Sequence, residues 1–298
     1  MNPRVLVLSG LYDFSSDLVS LELKKIGVSY LRLNREQLSQ HRLTLDPTVP
    51  ELTIDGPAGN HRVDLSLDSV FFRQPVFLRN TPGTPIPPED QLERSQWMAF
   101  LRSLCVFKHA RWMNNPTATY LAESKPYQLF AASKCGFKVP KTLATNDAIQ
   151  IQNNFPESLV IKSLDTVLLR DGDDCLFTYT TILSSLELTE EEVSTAPLLA
   201  QTALKDKIDL RVTVVGDDIF SVRILSKGSG IPGDWRIIPK EILEYEDIVL
   251  DEETTKSCHQ LIKELGLDFA AIDLIETSDG IYFIEINPTG EWGWLSNT

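Results

Sequence analysis

The chain has 298 residues, more than one compact core usually carries, so two or three subdomains are expected. Hydrophobic residues make up 42% and charged residues 23%, ordinary for a soluble globular protein. A formal net charge of −14 argues against a general binder of nucleic acid or of anionic membranes, and an acidic substrate would need a locally basic groove.

Arg4–Ser9 reads as a first strand, too short for a signal-peptide core or a membrane span. Ser15–Ile26 reads as an amphipathic helix closed by Gly27, and Val28–Leu33 as a second strand, so the chain opens as a small α/β unit. Glu51–Asp55 and His61–Leu65 flank a Gly-Pro-Ala-Gly-Asn turn and predict a hairpin. Ser69–Arg73 is a short strand, and the proline-rich stretch from Pro75 to Pro88 is loop. Pro88–Phe107 predicts a long helix, Asn114-Asn-Pro116 a boundary, and Thr117–Cys135 one helix ending at Gly136.

Further on, Asp147–Phe155 reads as a short helix, and Leu159–Ser163, Leu176–Thr181 and Pro197–Leu204 as strands. Asp209–Val215 and Ile219–Leu225 form a hairpin around Gly216-Asp-Asp218, followed by a glycine-rich segment, Ser226–Gly233, expected to move. Asp251–Leu265 is a helix. The fold class is α/β and α+β, with antiparallel hairpins concentrated in the second half. The expected organisation is an N-terminal domain over residues 1–115, a central lobe over 116–195 and a C-terminal lobe over 196–298.

The four cysteines (Cys105, Cys135, Cys175, Cys258) are scattered without a C-x-x-C pair and read as reduced thiols of a cytoplasmic protein. The four histidines show no metal-ligand spacing, and no nucleophile elbow is present. Chemistry concentrates near the end of the chain. Leu267–Ile275 and Ile281–Asn287 flank the turn Thr277-Ser-Asp-Gly280 and predict a hairpin. Alternation puts Glu285 and Asn287 on one strand face, with Asp273 on the partner strand. Acidic strand residues commonly face solvent, but a Glu flanked by isoleucines needs a partner, and two carboxylates with an amide oxygen make a hard-oxygen cluster suited to Mg²⁺. Lys162 lies inside the apolar run Leu-Val-Ile-Lys and Arg211 inside a β-branched run, so each must send its charge to a partner or to water. Arg223, on the returning arm, fits either a cleft lining or a cross-strand ion pair.

Ala271-Ile-Asp273-Leu-Ile with Phe283-Ile-Glu285-Ile-Asn287-Pro resembles the metal-binding end of ATP-grasp ligases. Glu285-Ile-Asn287-Pro-Thr-Gly-Glu-Trp292-Gly-Trp294 and Asp234-Trp-Arg236 narrow the resemblance to the peptide maturases that make graspetides, the microviridin-type ω-ester and ω-amide ligases. The resemblance implies an ATP-grasp fold behind an N-terminal α/β (pre-ATP-grasp) domain, with ATP and Mg²⁺ as cofactors. It assigns the metal to Asp273, Glu285 and Asn287. Lys125 (in Ser124-Lys-Pro-Tyr-Gln), Lys162, Gln201 and Arg211 are assigned to nucleotide binding, and Arg211, Asp234 and Arg236 to catalysis. The implied partner is a ribosomally made precursor peptide with a leader and an acidic core; nucleic acid and membranes are not implied, and a homodimer stays open.

Three departures stand beside the match. Ser163–Gly172, after the second lysine, carries one glycine instead of a glycine-rich phosphate loop. Phe71-Phe-Arg73-Gln74-Pro75 has Gln74 where the branch carries a second arginine. The chain stops at Leu295-Ser-Asn-Thr298, where related enzymes continue with a helix, so turnover by an isolated monomer is an open question. Two other readings fit the same residues: a RimK-like amino-acid or glutamate ligase, and a nucleotide-dependent peptide-binding module without turnover.

Overall fold

The computed structural model describes residues 2–73, 87–165, 168–171, 174–177 and 180–295. The chain divides into two compact units. The first comprises residues 1–120, 266–269 and 289–297, and the second 121–265 and 270–288.

The first unit begins with β1 (Val5–Ser9), α1 (Phe14–Lys25) and β2 (Tyr30–Asn34). Asp13 starts α1 by accepting the Ser16 amide at 2.7 Å, and Gly27 leaves it at φ +74°, a value glycine tolerates without penalty. A meander follows: β3 (Arg42–Asp46), β4 (Glu51–Gly56) and β5 (Gly59–Val63). Next come β6 (Ser69–Phe72), α2 (Pro88–Ser103), β7 (Arg111–Met113) and α3 (Pro116–Ala122). The parallel four-stranded sheet has the order β2-β1-β6-β7. Its core joins Leu6, Leu8, Leu33, Phe72, Phe107 and Trp112. The expected Pro75–Pro88 loop lies, apart from its last two residues, outside the described residues.

The second unit begins with α4 (Lys125–Lys134). The single helix expected over Thr117–Cys135 is in fact two, α3 and α4. Ser124 is extended at ψ 100° and Pro126 occupies the first turn of α4, where a missing N–H costs nothing. After β8 (Thr142–Thr145) and α5 (Ala148–Asn154) come β9 (Ser158–Lys162), β10 (Leu168–Asp171), β11 (Asp174–Phe177) and β12 (Thr181–Ser184). Strands β10 and β11 pair as a hairpin on their own, in the segment where a glycine-rich loop was not found. Helix α6 (Glu190–Ser194) carries a capping box from Thr189 and Glu192 and leads to β13 (Leu198–Thr202). The antiparallel sheet β12-β9-β13-β8 packs Leu159 and Ala200 against Ile151 and Phe155.

The rest is one five-stranded sheet and a helix: β14 (Ile208–Val215), β15 (Asp218–Ser226), β16 (Leu243–Asp247), α7 (Glu252–Glu264), β17 (Phe269–Thr277) and β18 (Gly280–Asn287). The order is β16-β15-β14-β17-β18, so β18 is an edge strand. Asp251 caps α7, whose buried face of Cys258, Leu261 and Ile262 packs on β14. The segment between β15 and β16 is pinned at its start by mutual main-chain hydrogen bonds between Ser226 and Ser229.

Candidate active site

The nine residues assigned to metal, nucleotide or catalysis all lie in the second unit. Register explains the centre. Asp273 on β17 stands opposite Glu285 on β18, and Asn287 shares the Glu285 face two residues on. The Asn287 amide nitrogen donates to Asp273 Oδ2 at 3.2 Å and to Glu285 Oε1 at 3.3 Å, so the three side chains converge on one point. From β14, Arg211 Nη1 donates to Asp273 Oδ1 at 2.8 Å and Oδ2 at 3.0 Å. Burial lifts the Asp273 carboxyl to about 6 against the pull of Arg211, and the Glu285 charge adds to the lift. Burial also pushes Glu285 upward, but Lys162, Lys125 and Arg236 outweigh it and hold that carboxyl below its ordinary value.

Around this centre stand cations on separate elements. Lys125 opens α4 and its Nζ donates to the Ser163 carbonyl at 2.8 Å. Lys162, at the end of β9, donates to Gln201 Oε1 at 3.1 Å, and Gln201 in turn donates from Nε2 to Thr142 Oγ1 at 2.9 Å. Gln201 is therefore a side-chain bridge across β9, β13 and β8, on the strand that lies between the other two. Burial pushes both lysine ammoniums below their usual range, with Glu285 partly restoring them. Arg236 wraps Asp234, donating from Nε at 2.9 Å and Nη2 at 2.6 Å. Hydrogen bonds to Asp234 raise the guanidinium further, and the charges of Glu285 and Asp273 add to that. Asp234 is buried, accepts the Thr180 amide at 3.1 Å, and is held low by Arg236 in spite of its burial.

Two carboxylates and an amide whose carbonyl can turn toward them form a hard-oxygen donor set on adjacent strands. Two carboxylates held face to face repel each other, and a divalent cation would neutralise that charge, so the residues fit Mg²⁺.

Three features escaped the sequence. The Lys207–Asp209 ion pair is largely buried on the approach to Arg211, and the charges of Asp234 and Lys162 both act on Asp209. Thr213, two residues beyond Arg211 on β14, is buried with a hydroxyl that has no hydrogen-bond partner among the described residues. Gln128, one turn into α4 from Lys125, is buried and bonded to β18. Only the strand pattern around Arg211 could have flagged the first two. Arg223 is settled as a structural ion pair, with Glu276 at 2.9 and 3.1 Å.

In the first unit, Arg73 is buried and pairs with Asp13 at 3.0 Å and Glu291 at 3.4 Å, and it donates to the Gly290 carbonyl at 3.3 Å. Glu291 also accepts from Ser15. Gln74 and Pro75, the other half of that sequence element, lie outside the described residues.

The profile of the RimK-like ATP-grasp domain matches residues 132–293, more than half of the chain. The chain belongs to the RimK-like ATP-grasp family. A RiPP-associated ATP-grasp ligase from Chryseobacterium gregarium, solved with ADP and a leader and core peptide, is 25% identical; the match covers 100% of this chain and 92% of that one, with a TM-score of 0.83. The macrocyclase MdnC of Microcystis aeruginosa, solved with its precursor peptide MdnA, is 20% identical, with 99% and 94% covered and a TM-score of 0.83, a likeness of fold. A probable alpha-L-glutamate ligase of Haemophilus influenzae is 25% identical over 59% of this chain. The chain spans 58% of the length of that relative. The likeness of this family member to solved ATP-grasp ligases thus runs along the whole chain, while its likeness to that glutamate ligase covers only part of it.

Proposed function

We propose that this ATP-grasp protein is an ATP-dependent carboxylate ligase acting on a ribosomally made precursor peptide with a leader and an acidic core. The observation that carries the reading is the ring of Lys125, Lys162, Arg211 and Arg236 around the Asp273–Glu285–Asn287 cluster. Phosphoryl transfer needs cations aimed at migrating negative charge, and here four come from four elements. The whole-chain likeness to a ligase solved with leader and core peptide points the site at a peptide.

Asp273, Glu285 and Asn287 would hold Mg²⁺, which supplies charge neutralisation at the nucleotide phosphates. Lys125 and Lys162 orient those phosphates, and Gln201 fixes the Lys162 ammonium while the main chain that follows Gln201 would read the base. A side-chain carboxylate of the peptide attacks the γ-phosphorus, ADP leaves, and the acyl phosphate forms. A Thr or Ser hydroxyl, or a Lys amine, then attacks the acyl carbon; phosphate departs and the nucleophile loses its proton. Arg236, held by Asp234, faces the charge of the acyl phosphate. No covalent enzyme intermediate is needed, because holding the groups together supplies much of the acceleration.

The net charge of −14 supports a peptide partner over nucleic acid or an anionic membrane. No helix among the described residues is long and apolar enough to cross a membrane. The free thiols of Cys105, Cys135 and Cys258 support a reducing compartment such as the cytoplasm.

The partial likeness to a glutamate ligase favours a second reading, addition of a free amino acid to a protein or peptide C-terminus. Incubation with Mg²⁺-ATP, free glutamate and acidic, Thr/Lys-containing precursor peptides, with peptide mass and phosphate followed together, separates the two. Loss of water matched to phosphate release supports cross-linking. Gain of an amino-acid residue supports the glutamate-ligase reading, and nucleotide binding without either change overturns both.

A further inference from the structure

Strand β18 carries two of the three proposed metal ligands, yet it is the edge of its sheet. Between Glu285 and Asn287 sits Ile286, whose side chain is fully buried on the opposite face. An edge residue has no strand beyond it to pair its main chain, and a buried amide or carbonyl left unpaired is destabilising. Here the partner is a side chain. Gln128 Oε1 accepts the Ile286 amide at 3.1 Å, and Gln128 Nε2 donates to the Ile286 carbonyl at 2.8 Å and to the Ala122 carbonyl at 2.6 Å. One glutamine amide thereby reproduces the pair of hydrogen bonds that an added strand would supply. The next outer contact along β18 is the Phe283 amide with the Lys138 carbonyl at 2.8 Å, so Gln128 alone grips the ligand-bearing end among the described residues.

Gln128 also stands three residues after Lys125 on α4, on the same side of the helix. The helix that presents Lys125 therefore holds, one turn later, the backbone between Glu285 and Asn287. A ligand pair on an unpaired edge would fray and spread, whereas a divalent ion needs its oxygens fixed to a few tenths of an ångström.

We infer that Gln128 is the positioning residue of the metal centre: its amide completes the edge of β18 and sets Glu285 and Asn287 in register with Lys125. This rests on the reading of Glu285 and Asn287 as ligands. Gln128 does not touch the reacting atoms, so its loss alters the affinity of the metal and the order of the strand before it alters the chemistry.

The test uses the full chain, with Mn²⁺ as the probe, read by its spin-resonance signal without nucleotide. Hydrogen exchange at the Ile286 amide is read in parallel. Gln128→Met removes both hydrogen bonds to Ile286, and the one to Ala122, at nearly constant volume, and it is expected to weaken Mn²⁺ binding by roughly 10-fold or more, in the range seen when supporting partners of metal ligands are lost. It is also expected to speed exchange at Ile286 while leaving the Phe283 amide protected. Gln128→Glu keeps the acceptor for the Ile286 amide and loses the donor, so it should fall between; it carries the same test if the methionine variant fails to fold. Glu285→Gln is the control. If it weakens Mn²⁺ binding and neither Gln128 variant does, the inference about Gln128 is overturned and the metal assignment stands. If it leaves Mn²⁺ binding unchanged, the metal assignment fails and the inference falls with it. Unchanged Ile286 exchange in Gln128→Met overturns the inference by itself.

Discussion

Arg211 Nη1 lies 2.8 and 3.0 Å from the two carboxylate oxygens of Asp273, so the arginine assigned to nucleotide binding is paired with a proposed metal ligand. The pair is nearly dry: the Arg211 side chain is 9% exposed and that of Asp273 21%. Removing one half of such a pair strands the other charge. Arg211→Met should therefore cost about 3 kcal/mol of unfolding free energy, the low end for a buried pair because Asp273 keeps some contact with water. Urea unfolding checks it. The double variant Arg211→Met/Asp273→Leu should recover most of that loss, yet remain without turnover. A single variant as stable as the wild type would show that the pair carries no structural load.

Glu285→Gln keeps the shape of the side chain and its contact with Asn287, but deletes the charge that Lys162, Lys125 and Arg236 converge on. The fold should persist, since three clustered cations lose a counter-charge but no packing. ATP-dependent phosphate release should fall by at least about 100-fold, the scale on which preorganised charge acts in such sites. An unimpaired rate, measured at saturating Mg²⁺-ATP, would remove Glu285 from the chemistry.

How much of this could be read beforehand depends on range. The β17–β18 hairpin was legible because its turn is local and Gly280, at φ +120°, occupies a conformation that favours glycine. Helix α7 was legible from Asp251 and the periodic burial behind it. Strand β16 was not, because Leu-Glu-Tyr-Glu-Asp is an edge with three exposed acidic residues and only two half-buried apolar positions, too short an alternation to stand out. Among site residues, a charge inside an apolar strand advertises itself, which exposed Lys162, Arg211 and Glu285. Gln128 gave no such signal. A glutamine on a helix is ordinary surface chemistry until a strand 158 residues away runs beneath it. Arg211 was found but not its partner, since pairing between β14 and β17 is a property of sheet order and not of either strand.

Asp251 supplies a pH-dependent prediction away from the site. Its carboxylate accepts the Thr254 amide at 2.8 Å and the Thr254 hydroxyl at 2.7 Å, which hold its pKa below the ordinary aspartate range. A folded-state pKa below the unfolded one means stability that is present above the unfolded value and lost as the pH falls through the folded value. Asp251→Ala should cost about 1 kcal/mol near neutral pH, as a lost helix cap does. The gap between wild type and variant should narrow on acidification. Asp251→Asn keeps the acceptor, so it should sit near the wild type and lack that dependence. Thermal melts across an acid series would show it, and a gap that does not change with pH would assign the cap's worth to geometry alone.

Gly230 and Gly228 separate steric from conformational demand within one segment. Gly228 has φ +70° with open space where a Cβ would stand, so Gly228→Ala meets only the left-handed backbone penalty, about 1 kcal/mol. A Cβ on Gly230 would collide with the carbonyl oxygen of Lys207, a backbone atom that cannot swing aside. Lys207 begins the run to Asp209 and Arg211, so either this segment or the start of β14 must move. Gly230→Ala should therefore lower the melting temperature more than Gly228→Ala, and should also reduce ATP turnover by displacing the Lys207–Asp209 pair beside Asp234. Paired melts and phosphate-release assays on the two variants decide it. Equal melting shifts with full turnover in both would mean that the segment yields, leaving β14 where it is.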